Sequence, residues 1–364
     1  MAGFKVLMHH PTRLTRNTNM FHTAPGKLRV GQIGCHGVAN NHANAHRNSG
    51  NTQLYAVCDI NESLAKSFAQ QYDVPHDFTS AQQMFECPDI DLIDLVTPDH
   101  THASLAIAAM EHGKHVLVEK PMATNTDDAK KMIEVAQQNK VQLMCVQSMR
   151  WVPKCQDIVK RVHSGDIGEP VFARMHGGCP SFWRPDHWPK AASGGEVDHL
   201  LVHNAMHSLD MLSWLLDDQP QNVYTIGHPG QEGVPLWEYF SINVRFAKGA
   251  MGLFEENRMM QPKAYSMPGT GLHIIGTEGT IVMSPSKDLS VSLFNKDGMH
   301  FPGSHMYMMP EEDNFAAMIR ELADAIMQDK PVPICPQFSR HVLAGVLAAV
   351  ESFRSGQPVE VNHD

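Results

Sequence analysis

The stretch Val116–Leu117–Val118–Glu119–Lys120–Pro121 decides how the first half of this chain is read. Val116 to Val118 have the apolar, β-branched character of a short buried strand. Pro121 has no backbone N–H to give to a sheet and turns the chain out of it. The strand therefore ends on a Glu–Lys pair. Two readings are open for that pair. It is a solvated charged strand end, or it is a hydrogen-bonding and proton-transfer group facing a ligand. In an open parallel sheet ligands bind at the carboxyl ends of the strands, so the neighbouring strands choose between the two.

Those neighbours repeat one pattern. Leu28–Ile33 reads as a strand entering the turn Gly34–Cys35–His36–Gly37–Val38–Ala39, with a polar helix running on through Asn48. The turn is close to the dinucleotide fingerprint, with Gly34 in the first position and Ala39 in the last, where a small residue allows close helix–strand packing. His36 stands where the second glycine is usual. Gln53–Asp59 is the next strand and ends in an acid at the spacing expected of a ribose ligand. Ile60–Asn61–Glu62 brings no arginine for a 2′-phosphate, so NAD is favoured over NADP. Asn61–Tyr72 reads as a helix. Asp91–Pro98 is a further buried strand stopped by proline, followed by Asp99–His100–Thr101–His102 and the helix Ala103–His112. After Lys120 come the helix Asn125–Asn139 and the strand Val141–Gln147. Strands alternating with helices at this spacing specify an α/β, Rossmann-type, doubly wound parallel sheet. Its strand ends, at Gly34–Ala39, Asp59, Thr97–His102, Glu119–Pro121 and Gln147–Arg150, should converge on one crevice.

The totals agree with two domains of ordinary size. The chain has 364 residues, 42% hydrophobic and 19% charged, with a formal net charge of −10. An acidic balance gives no basic face for nucleic acid, and no apolar run is long enough to span a bilayer. Seven scattered cysteines without a CxxC pair read as reduced thiols of a cytoplasmic protein. Residues 1–27 carry basic residues and no acid, and their apolar run is too short and broken for a secretory signal. They read as an N-terminal arm before a nucleotide-binding domain over 28–150 and a second domain over 151–364.

The second domain has a different rhythm. From Pro170 longer strands dominate, with Gly276–Thr277–Glu278–Gly279 and Gly249 as hairpin turns. That pattern specifies an α+β domain built on a large, mostly antiparallel sheet. The helices Glu311–Gln328 and Ser339–Ser355 carry single apolar stripes. The loop Pro180–Pro189 holds Trp183, Arg184 and His187, read either as a packed surface loop or as a sugar platform in which Trp stacks and polar groups bond hydroxyls. The helix Glu196–Leu216 puts His199, His203 and His207 near one face. Such a stripe fits a metal pair, a solvated or core-facing face, or a substrate site, and no third metal ligand is fixed by the sequence.

The fingerprint, Thr97–Pro98 with His102, Glu119–Lys120–Pro121 and Arg150–Trp151–Val152–Pro153 together resemble the Gfo/Idh/MocA oxidoreductases over essentially the whole chain from residue 28. Within the last of the three readings of the histidine helix, His207–Ser208–Leu209–Asp210 with Trp214 resembles the family's catalytic helix. His203 stands where an Asp is usual, and Asp99 where an Asn is usual; Asp198 lies one residue out of phase. The resemblance implies a nicotinamide held by Gly34, Cys35, His36, Gly37, Val38, Ala39, Asp59, Thr97, Pro98, Asp99, His102, Glu119, Lys120, Gln147 and Arg150. It implies a carbohydrate substrate, met by Lys120, Trp151, Trp183, Arg184, His187, His199, His203 and His207, and no resident metal. Lys120 would touch the reacting hydroxyl, His207 would be the general base with a pKa close to working pH, and His203 would orient substrate or share the proton. A homo-oligomer, dimer or tetramer, would form through the second sheet. Two other chemistries fit the same sequence: a redox-neutral glycosidase or lyase working through a transient keto-sugar on tightly held NAD, and a sugar or cofactor sensor without turnover.

Overall fold

A computed structural model describes residues 26–180, 199–228, 239–260, 271–283, 291–295, 297–300 and 313–363. The first sheet is built from β1 (Leu28–Ile33), β2 (Thr52–Cys58), β3 (His76–Phe78), β4 (Leu92–Leu95), β5 (His115–Val118) and β6 (Leu143–Cys145), all parallel, in the order β3-β2-β1-β4-β5-β6. The helices α1 (Ala39–Ser49), α2 (Glu62–Tyr72), α3 (Ala81–Glu86), α4 (His102–Glu111) and α5 (Thr126–Asn139) connect them. This is the doubly wound order expected from the alternation. β1, β4 and β6 are buried throughout, as strands covered on both faces must be. Helix ends follow local chemistry. The Asn61 side chain accepts from Leu64 N–H to start α2, and the Asn125 side chain accepts from Asp128 N–H to start α5.

After α6 (Pro153–His163) the chain builds the second sheet. Its strands are β7 (Pro170–Pro180), β8 (Pro220–His228), β9 (Tyr239–Phe246), β10 (Met251–Met260), β11 (Gly271–Gly276), β12 (Gly279–Met283), β13 (Val291–Asn295), β14 (Gly298–His300) and β15 (Val359–Glu360). They lie in the order β14-β13-β12-β11-β7-β10-β9-β8-β15, antiparallel except for the pair β7–β10. The helices α7 (His199–Leu216) and α9 (Pro336–Ser355) cover one face, where Val223, Ile242, Val244 and Phe254 are buried. One continuous apolar cluster runs from Ile33 and Val118 through Leu209 and Leu212 to Phe240 and Val346, so both sheets share a core. The last long helix before α9, α8 (Asn314–Met327), returns to the first sheet. Its Met318, Ile319 and Leu322 pack with Val30, Leu92, Leu117 and Trp151. Among the described residues, no helix is long and apolar enough to cross a membrane.

Candidate active site

The register of the first sheet lines up its strand ends. Ile33 pairs with Cys58 on one side and Leu95 on the other, Leu95 with Val118, and Val118 with Cys145. Gly34, Asp59, Val96–Thr97, Glu119–Lys120 and Val146–Gln147 therefore follow one another along a single edge. At its start Gly34 has φ +100°, and a Cβ there would strike the Val96 carbonyl oxygen. Glycine is required by both shape and backbone. Gly37 is also left-handed, and nothing among the described residues crowds the space its side chain would fill. α1 starts without a side-chain cap and without an acid in its first turn; Ala39 N–H and Asn41 N–H turn back to the His36 and Val38 carbonyls at 3.2 and 2.9 Å, so what the helix offers an anion is its positive end. Gln32, fully buried, braces the turn by donating to the carbonyls of Gly34 at 3.1 Å and Ala39 at 3.3 Å. The Asp59 carboxylate accepts from Cys35 N–H at 3.1 Å and from Asn61 N–H at 2.9 Å. Burial first, then Asp59, push the Cys35 thiol up to about 12, so Cys35 serves through its backbone and not as a thiolate.

Four residues expected as ligands are engaged elsewhere. His102 is fully buried, with Nδ1 2.8 Å from the Pro121 carbonyl and Nε2 2.8 Å from the Thr97 carbonyl. It ties the exit of β4 to the exit of β5, across the cis Lys120–Pro121 peptide. Glu119 is turned into the protein. Its Oε1 lies 3.1 Å from His42 Nε2, and its Oε2 accepts from Lys120 N–H at 2.9 Å. Arg150 makes a two-pronged pair with Asp210, at 2.9 and 2.8 Å, and its guanidinium lies over the rings of Phe338 and Trp214. Trp151 is buried in the cluster under α8. These placements share a cause: each residue sits beside the crevice in sequence, and buried partners meet its polar atoms or its ring.

Lys120 is the residue the strand end delivers. It is only 6% exposed, and its Nζ donates to the His203 carbonyl at 3.3 Å, which joins β5 to α7. One helical turn on, His207 is pushed down to about 3 by burial and then by the Lys120 ammonium, with Glu119 opposing. The expectation of a histidine with a pKa near working pH is therefore overturned; the imidazole is neutral. Its Nδ1 and both amide atoms of Gln147 are buried without a hydrogen-bond partner among the described residues. Thr97 Oγ1 accepts from the Thr101 hydroxyl at 2.7 Å. Trp183, Arg184, His187 and Asp198 lie outside the described residues, and so does the side chain of His199, the first residue of α7.

Sequence reading missed His42, His46 and Asp94. His42 Nδ1 and His46 Nε2 both lie 2.8 Å from Asp94 Oδ2, in the protein interior. A signal was present. Asp94 interrupts an apolar strand, and a buried carboxylate needs partners; His42 and His46 stand one turn apart on the polar helix that follows the fingerprint.

Residues 28–147 match the model of the Gfo/Idh/MocA oxidoreductase family's NAD-binding Rossmann fold, and residues 159–361 match its C-terminal alpha/beta domain. The chain belongs to this family. It is 24% identical to scyllo-inositol 2-dehydrogenase (NAD(+)) of Bacillus subtilis over 317 residues, 85% of this chain and 89% of that one. It is 22% identical to myo-inositol 2-dehydrogenase of Thermotoga maritima over 346 residues, 92% and 98% of the two chains. In fold it is similar to an oxidoreductase of Agrobacterium radiobacter solved with NAD+, L-tartaric acid and magnesium, with a TM-score of 0.81, 20% identity and 92% and 98% coverage.

For this Gfo/Idh/MocA oxidoreductase the residues at the sheet edge fit the cofactor that the Rossmann domain binds. The open turn at Gly37 and the uncapped start of α1 suit a pyrophosphate. The pre-oriented Asp59 carboxylate suits ribose hydroxyls. The unpartnered Gln147 amide, at the carboxyl end of β6, is a buried polar group of the kind a bound ligand satisfies.

Proposed function

We propose that this oxidoreductase moves a hydride between NAD and a secondary hydroxyl or keto carbon of a sugar, polyol, inositol or glycoside. The observation that carries the reading is the junction of β5 and α7, where the Lys120 ammonium meets the turn that bears a neutral His207. When bound, the nicotinamide supplies the hydride acceptor or donor. The chain's own residues handle charge and proton. Lys120 holds the reacting oxygen and stabilises the negative charge that grows on it as the carbon gives up hydride. His207 offers an unprotonated ring nitrogen to the hydroxyl proton. Because its positive charge is disfavoured while Lys120 is charged, His207 holds the hydroxyl proton only transiently and releases it to solvent water. His203 orients substrate. Asp59, followed by Ile60 and not by a cation, supports NAD over NADP. The remaining strand-end residues, Gly34 to Ala39, Thr97 to Asp99 and Gln147, are assigned to the cofactor, and Trp183, Arg184, His187 and His199 to the substrate. The inositol dehydrogenases named above support a cyclic polyhydroxylated substrate.

The same reading extends to the assembly and compartment. The face of the second sheet that no helix among the described residues covers exposes Tyr224, Ile226, Met251 and Ile275. β9 relates the first three through Asn243, Ser241 and Arg245, and Ile275 joins Met251 through Phe172. Such a patch supports a dimer or tetramer of this chain. Free cysteines at Cys35, Cys58, Cys87, Cys145, Cys155 and Cys335 support a reducing, cytoplasmic setting. The division into an arm over 1–27, a cofactor domain over 28–150 and a substrate domain over 151–364 is kept as the working one, with α8 lent back to the first sheet.

The test is Lys120→Ala and His207→Ala, assayed by NADH absorbance against a panel of inositols, aldoses and anhydrosugars. Each variant should lose turnover by at least about a hundredfold while NAD affinity measured by fluorescence stays near the parent value. Near-parent turnover in Lys120→Ala would overturn the reading.

A further inference from the structure

The buried chain His46–Asp94–His42–Glu119 takes no part in the steps above. Each link is short: His46 Nε2 to Asp94 Oδ2 2.8 Å, His42 Nδ1 to the same oxygen 2.8 Å, and His42 Nε2 to Glu119 Oε1 3.1 Å. His46 is held from behind, with Nδ1 3.2 Å from Thr52 Oγ1. His42, His46 and Asp94 have no exposure, and Phe315 of α8 packs edge-on against the His42 ring with centroids 5.3 Å apart. We propose that His42, clamped between the buried carboxylates of Asp94 and Glu119, is a positioning residue for Lys120: it holds the Glu119 carboxylate inside the sheet and so keeps it from pairing with the Lys120 ammonium. This rests on the assignment of Lys120 to the reacting oxygen.

Three observations carry it. First, carboxylate oxygens only accept, so a ring with a carboxylate at each nitrogen donates from both and is a cation. Burial opposes that charge, but Asp94 and then Glu119 outweigh burial and push the imidazole up to about 10. Second, burial favours neutral carboxyls, yet His42 and its neighbours hold both Asp94 and Glu119 below their ordinary range. Third, the Glu119 carboxylate is mechanically tied to its neighbour, since Oε2 accepts the Lys120 backbone N–H at 2.9 Å. Fixing the carboxylate fixes the peptide from which the lysine departs. Without His42, Glu119 keeps the Lys120 ammonium, whose charge already acts on its carboxylate, as a compensating cation, and an ion pair there would withdraw the ammonium from substrate.

His42→Gln and Asp94→Asn each break the clamp, and Glu119→Gln removes the charge the clamp contains. Both single variants should lower kcat by roughly a hundredfold with NAD affinity within about threefold of the parent. Combining either with Glu119→Gln should restore kcat by roughly tenfold over the single variant, because a neutral amide no longer competes for Lys120. A packing role predicts the opposite, since the double variant would be equally or more impaired. A single variant that folds only when Glu119 is also changed is the same rescue. Doubles no better than their singles, in turnover or in folding, overturn the proposal. Lys120→Ala keeps this separate from the reading beneath it: an active Lys120→Ala enzyme removes the lysine's role, whereas an inactive one with no rescue by Glu119→Gln removes only that of His42.

Discussion

Arg150→Leu separates a structural ion pair from a cofactor ligand. Arg150 meets Asp210 through two bonds of 2.9 and 2.8 Å, with side chains 10% and 1% exposed. Removing the guanidinium strands a carboxylate in the interior, which costs about 3–5 kcal/mol. Losing the Phe338 and Trp214 ring contacts, at 4.4 and 5.3 Å, adds about 0.5–2 kcal/mol. At about 2 °C per kcal/mol for a chain of this size, the thermal midpoint should fall by roughly 7–14 °C. Burial already raises the Asp210 carboxyl against the pull of Arg150. Without the arginine it rises further, so the folded state takes up a proton more readily than the unfolded one, and the deficit should shrink at pH 5 relative to pH 8. Arg150→Leu combined with Asp210→Leu should recover most of the midpoint. NAD affinity, followed by fluorescence, should change by less than about threefold. A tenfold loss of NAD affinity with an unchanged midpoint would refute the structural assignment and return Arg150 to the cofactor.

Gly34→Ala puts a Cβ against the Val96 carbonyl at a left-handed φ, while Gly34 N–H is held by the Cys58 carbonyl at 2.8 Å; calorimetry should report a loss of at least about 2 kcal/mol, and a stable, NAD-binding variant would show that the turn can shift. Asp59→Ser with Ile60→Arg should move the ratio of kcat/KM toward NADP by roughly a hundredfold or more, since Ile60 is 95% exposed and can be replaced without disturbing packing; an unchanged ratio takes Asp59 out of ribose recognition. The parent's kcat/KM should show no acid limb from His207 between pH 5 and 8, because the imidazole is held down to about 3. In Lys120→Met the ammonium that helps hold it there is gone, so the limb of the residual activity should move upward; a parent limb near 6.5 would contradict the buried, neutral ring.

The sequence carried the sheet well because its evidence is local. Buried strands stopped by Pro98 and Pro121, the turn at Gly34 and the acid at Asp59 each depend on neighbours a few residues away. The site was less legible where partners come from far along the chain. Arg150 and Asp210 are 60 residues apart, and Glu119 and His42, whose bond draws the carboxylate inward, are 77 apart. Proximity to the crevice in sequence says nothing of such partners: His102, Glu119, Arg150 and Trp151 all stand at strand ends or just beyond, and their side chains turn inward. His207 is a related case: burial and then a lysine from the first sheet push its imidazole below the ordinary value, and neither is visible from its own neighbours in sequence.

The placement of charge explains why a lysine can serve at this strand end. A carboxylate next to Lys120 in sequence should be its natural ion-pair partner, which would spend the ammonium before substrate arrives. The protein keeps Glu119 but gives its charge to His42, and it gives Asp94 to the same ring. The Lys120 ammonium then acts on a neutral imidazole, which burial and that ammonium together keep from becoming a second cation. On the proposed function, charge developing on a substrate oxygen would be met by Lys120, in a setting where water screens little. The tripeptide Glu119–Lys120–Pro121 thus works as a unit with three directions: the acid inward to α1, the lysine across to α7, and the proline carbonyl back to His102.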